Sequence, residues 1–142
     1  MSEQTRIFRG NEGLLLASSR CNKAGNVFRV SLRHEHAYMP LITLKSVLFK
    51  GICHLDGYKM KIRITGFTED EKHSSAVEFV VSLKTTFEKN ERVALTDQTA
   101  GWCRCRKLEI KFLSLDNKLI LFKEDVSWEL FLVLGEYMEP ED

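Results

Sequence analysis

Three short clusters hold the side chains best suited to binding a metal: His34-Glu35-His36, Cys53-His54 and Cys103-x-Cys105. Zinc sites usually leave about two to five residues between paired ligands, because the intervening turn lets both converge on one ion. None of the three clusters has that spacing. They qualify only as period-two pairs able to share one face of a strand. A Cys–His nucleophilic pair could use Cys53, Cys103 or Cys105 with any of the four histidines, but no spacing selects one. The simpler expectation is that the cysteines, Cys21 included, are small buried hydrophobes, reduced and unbridged, and that His34 and His36 lie at a polar strand end. There is no Gly-x-Ser-x-Gly elbow and no phosphate-binding Gly-x-x-x-x-Gly-Lys loop. Glu69-Asp70-Glu71 and the acidic carboxy-terminal residues read as solvated charge rather than paired catalytic carboxylates. The expectation is a non-enzymatic chain with no cofactor, no catalytic residue and no metal ligand. A small Cys/His metal-dependent domain or enzyme is the rival reading.

Surfaces are the other source of function. Lys59, Lys61 and Arg63 alternate with apolar residues, and Arg104, Arg106 and Lys107, followed by Lys111, stand near Trp102. Cations spaced along strands can track the phosphates of a lipid headgroup or of RNA, while an aromatic can stack on a base or enter a bilayer interface. The competing explanation is a strand face kept polar for solubility and to discourage edge pairing. Tyr38-Met39-Pro40-Leu41 matches the Tyr-x-x-Leu pattern read by trafficking and budding adaptors, with Tyr38 and Leu41 as its two anchors, although Leu41 also suits core packing. Leu14, Leu15 and Leu16, together with Trp128 in the apolar carboxy-terminal segment, are candidates for subunit contacts.

Local pattern suggests which elements carry these residues. Residues 58–65 alternate without error, Tyr58, Met60, Ile62 and Ile64 against Lys59, Lys61 and Arg63, which predicts a half-buried strand. Asp56-Gly57 before it favours a tight primed turn, making residues 52–55 the first arm of a hairpin. Strands are also predicted from Phe28, Val30 and Leu32, from Val77, Phe79, Val81 and Leu83, over residues 102–112, and over residues 126–134. Asp116-Asn117 would separate the arms of a second hairpin. Pro40 ahead of Leu41, Leu44, Val47 and Leu48, with Gly51 as a stop, predicts a helix near residues 40–50. Residues 87–101 read as a long polar connection suited to binding or assembly. Residues 1–25 read as a flexible or partner-docked arm, 26–135 as a single β-rich domain, and 136–142 as an acidic tail. The predicted fold is mainly β (α+β): a single-domain β-sandwich or barrel of six or seven short strands with one helix.

Composition sets the limits. A chain of 142 residues suits one domain, and 44% hydrophobic with 29% charged residues excludes general disorder. Lys plus Arg number 21 against 20 Asp plus Glu, so attraction to a polyanion must come from a local patch. Neither a signal peptide nor an apolar run long enough for a spanning helix is apparent, which predicts a cytosolic or nuclear location.

The layout of residues 26–134, a strand, a polar turn, a Pro-led apolar segment and a mostly β remainder, resembles that of matrix proteins of negative-strand RNA viruses. The chain departs from that family in its near-zero net charge and in lacking Pro-Pro-x-Tyr and Pro-Thr-Ala-Pro motifs. The resemblance implies a self-associating structural protein on the cytoplasmic or inner-membrane side of a host cell. It implies contacts with anionic lipid or RNA and with a nucleocapsid or host adaptor protein. A viral accessory module that binds a host factor is the alternative of the same kind.

Overall fold

The structure, a computed structural model, describes residues 7–32, 41–51, 59–85, 91–101, 105–122 and 126–138. The alternating segment is the strand Lys59–Phe67, labelled β5, whose burial alternates residue by residue. Met60, Ile62 and Ile64 turn inward and are fully buried, leaving Lys59, Lys61 and Arg63 on the other face. β5 pairs antiparallel on one side with β6 (Ser74–Ser82) and on the other with β9 (Lys107–Leu113). Both of its edges are therefore taken, so it is not the second arm of a hairpin beginning at residue 52. Residues 52–58, including Asp56-Gly57, lie outside the described residues. β3 (Val27–Ser31) and β2 (Asn22–Ala24) complete this second sheet, in the order β2-β3-β9-β5-β6.

The first sheet has the order β1-β10-β4-β8-β7. Its strands are β1 (Ile7–Ala17), β4 (Leu41–Lys50), β7 (Lys84–Thr85), β8 (Glu91–Gly101) and β10 (Ser127–Met138). Four expectations are corrected here. Residues 41–50 form a strand, not a helix: Ile42 and Leu44 point inward, the register shifts at Lys45, and Val47 and Phe49 point inward beyond it. That bulge breaks the period-two alternation, and the resulting spacing imitates a helical stripe. Residues 7–17 and 22–24, expected in an arm, are strands. Residues 91–101, expected in a loop, are also a strand: its inward positions include small residues such as Ala94 and Ala100, which give no strong hydrophobic alternation. Finally, Glu136, Tyr137 and Met138, expected in a tail, pair with Arg9, Phe8 and Ile7.

Ten strands are present among the described residues, against the six or seven expected, and the helical content among them is one 3-10 turn, Ser18–Arg20. The two antiparallel sheets pack as a sandwich and do not close into a barrel. The predicted strand at 126–134 is present within β10. The second predicted hairpin reduces to a single bridge, Leu113 to Leu119, with the Ile120 amide donating to the Phe112 carbonyl.

Both sheets contribute to one core. Phe28 and Phe112 from the second sheet meet Trp128 and Phe49 from the first, with Phe122 closing the group. The rings meet mostly edge to face, with Phe28 and Trp128 centroids 4.9 Å apart, the geometry the ring quadrupoles favour. The sandwich is also fastened at one margin. β6 is an edge strand, and at Val80 its amide donates to Gln98 Oε1 (3.2 Å) while Gln98 Nε2 donates to the Val80 carbonyl (2.6 Å). Gln98 belongs to β8, where the register shift between Leu44 and Ser46 marks a bulge opposite Lys45. A side-chain amide thus takes the place of a neighbouring strand.

Two turns share one device. Thr68 Oγ1 donates to Asp70 Oδ1 and Ser114 Oγ donates to Asp116 Oδ1, each across two residues. The hydroxyl bond is the main cause holding each carboxyl below its ordinary range; the Lys72 amide adds to it at Asp70. A depressed folded pKa means that the stabilisation is present above the unfolded value and is lost as pH falls through the folded one. Acid titration followed by NMR should find both midpoints below those of the other exposed carboxylates. Thr68→Ala and Ser114→Ala should each return their partner to the ordinary range; unmoved midpoints would show another origin.

Candidate functional site

The residues suited to chemistry are not gathered into a reacting centre among the described residues. Cys105 is fully buried. Cys21 is half-buried with its thiol donating to the Ala17 carbonyl (3.3 Å), and burial pushes this thiol up, away from the thiolate that nucleophilic use requires. No group of three His, Cys, Asp or Glu able to hold a metal occurs among the described residues. His34, His36, Cys53, His54 and Cys103 lie outside them. So does Tyr38, while Leu41 begins β4.

The basic residues do converge. The outer face of the second sheet carries Arg29 on β3, Lys107 and Lys111 on β9, and Lys59, Lys61 and Arg63 on β5. These six face three carboxylates: Glu78 on β6, Glu109 on β9 and Glu71 in the preceding loop. Arg63 Nε donates to Glu78 (2.8 Å), Arg29 and Lys111 share Glu109 (3.0 and 3.3 Å), and Lys107 lies 3.6 Å from Glu71. Such exposed pairs contribute little to stability, but they divide the face in two. One end, around Arg29, Phe67, Glu71, Lys107 and Glu109, is a shallow cleft of about 360 Å³ whose charges are matched. At the other end Lys59 and Lys61 have no carboxylate partner among the described residues. Arg106 lies just before β9, where its backbone joins Phe67 to Leu32, and Arg104 is outside the described residues.

Next to the free lysines is a feature that pattern did not reveal. Lys61 Nζ donates to Asn117 Oδ1 (3.1 Å), which brings the turn at residues 114–118 against β5. Asn117 takes a left-handed conformation (φ 66°), which asparagine tolerates better than most residues. The turn presents Leu115, 49% exposed, with Leu119, 38% exposed, just beyond it, and Val80 and Leu121 are exposed as well. The sequence signal was a leucine recurring around Asp116-Asn117, which alternation assigns equally well to a buried hairpin. The end of the sheet is therefore amphipathic, with Lys59, Lys61 and Lys118 beside exposed aliphatic side chains.

The expected subunit contacts divide. Trp128 is 1% exposed and Leu16 is buried, both in this chain's own core, so neither is free to meet a partner. Leu14 packs against that core, and Leu15 is exposed on the outer face of the first sheet. No helix among the described residues is long and apolar enough to cross a membrane. No protein-family model matches the sequence, and no curated protein matches it.

Proposed function

We propose that this chain is a non-enzymatic, matrix-like assembly protein that self-associates and seats an anionic membrane surface against the Lys59–Lys61 end of its second sheet. The observation that carries the reading is the Lys61–Asn117 hydrogen bond, because it sets unpaired lysines beside exposed leucines. Lysines at that margin can reach lipid phosphates, and a leucine turn can enter the headgroup boundary. Interfacial binding draws on both charge attraction and apolar burial. RNA is a weaker fit. Sequence-tolerant RNA binding uses aromatic platforms, and Phe67 is the aromatic on this face among the described residues, at the charge-matched end.

Flotation with vesicles tests this. The chain should float with phosphatidylserine-containing vesicles, remain behind with pure phosphatidylcholine, and lose binding as salt rises. Equal binding to both compositions, no binding at low salt, or retention of RNA under conditions that release the vesicles would overturn the reading.

A further inference from the structure

We propose that a second copy of this chain docks face to face on the outer surface of the first sheet; this deepens the assembly reading and rests on it. The paired registers align Leu15, Phe131, Ser46 and Leu95 in one row across β1, β10, β4 and β8. Leu95 is 83% exposed and Phe131 39%, and Leu15 is exposed beside them. The Phe131 ring lies over β1 at Gly13, where an added Cβ would stand 3.2 Å from ring Cζ. Glycine thus lets the ring lie flat across the neighbouring strand and widens the apolar surface.

Three arguments favour a second copy as the occupant. The row is self-complementary: an in-plane two-fold parallel to the strands, between β10 and β4, sets Phe131 over Ser46 and Leu15 over Leu95. The charge at this face is balanced, Lys45 pairing with Asp97 at its margin, whereas the outer face of the second sheet carries excess positive charge and repels its own copy. The size also fits. Four strands about 4.8 Å apart and roughly seven residues at about 3.3 Å rise give a footprint of roughly 450 Å² per copy before side-chain relief. That is the low end of specific interfaces, so the pair should be weak and dependent on concentration. Because the two outer faces of a sandwich point in opposite directions, such a pair presents its lysine margins on opposite sides and can hold two vesicles.

The experiment combines sedimentation equilibrium, vesicle flotation and vesicle clustering by turbidity, on the full chain and on Phe131→Asp and Leu95→Asp. Leu95 is so exposed that its substitution leaves the core untouched, and circular dichroism checks both folds. The parent chain should gain mass with concentration and cluster phosphatidylserine vesicles. Each variant should associate at least tenfold more weakly, lose clustering, and still float. A parent chain that stays monomeric at the highest concentration, or association unaltered in Leu95→Asp, overturns the proposal. Variants that lose flotation while still associating also overturn it, because the face would then meet lipid. Association of the parent without any flotation overturns only the membrane reading.

Discussion

Trp128→Ala is expected to destabilise the chain by about 3–5 kcal/mol, the range for emptying a large aromatic site in a packed core. Trp128 stands between the sheets, in edge contact with Phe28 and Phe112, and its removal opens the place where both sheets share side chains. A loss of that size is a large part of the roughly 5–15 kcal/mol that holds a typical domain folded. Trp128→Phe should cost far less, on the order of 1–2 kcal/mol, because the smaller ring fills much of the site. The indole Nε1 has no hydrogen-bond partner among the described residues, so that substitution forfeits ring volume and no polar contact. Urea denaturation of the three proteins measures both differences. Equal losses for alanine and phenylalanine would mean that the nitrogen, and not the ring, holds the site.

The second large effect is on membrane affinity. Replacing Lys59 and Lys61 together by glutamine should weaken binding to phosphatidylserine vesicles by roughly 30-fold, taking about 1 kcal/mol for each lysine near an anionic surface. Neither lysine is in an ion pair among the described residues, so the folded chain should keep its stability. Leu115→Ser with Leu119→Ser should weaken the same binding through a different term, which high salt does not abolish. Arg63→Gln is the control: Arg63 is already matched by Glu78, and its loss should matter much less. If Arg63→Gln weakened binding as much as the lysine pair, the whole face would be the contact surface instead of its Lys59–Lys61 end.

The second sheet was legible in the sequence because its strands keep strict alternation, from Met60 to Ile64 and from Val77 to Val81, with one face buried and one in water. The first sheet was not, because its strands carry bulges. At Lys45 one extra residue turns a period-two pattern into a false helical stripe, and in β8 the residues opposite it do the same among polar neighbours. The amino-terminal strand was hidden for a related reason. Its register shifts between Gly10 and Glu12, and its glycines resemble those of a loop. Of the candidate site, the lysines of β5 could be placed from alternation alone. Their neighbour, the leucine turn, could not, since exposure of Leu115 and Leu119 depends on how the turn folds back on Asn117.

Gln98 has a consequence for the fate of the chain when it is stressed. An unguarded edge strand is a template on which further strands can add, the first step toward a cross-β fibre. At Val80 the edge of β6 is answered by an amide from the other sheet, so this stretch is not released by simple fraying. The two sheets must first part, and that requires the aromatic core between them to open. Fibre growth from this edge is thereby coupled to loss of the whole fold: the residue that ends the second sheet also keeps its propensity to aggregate latent for as long as the chain stays native.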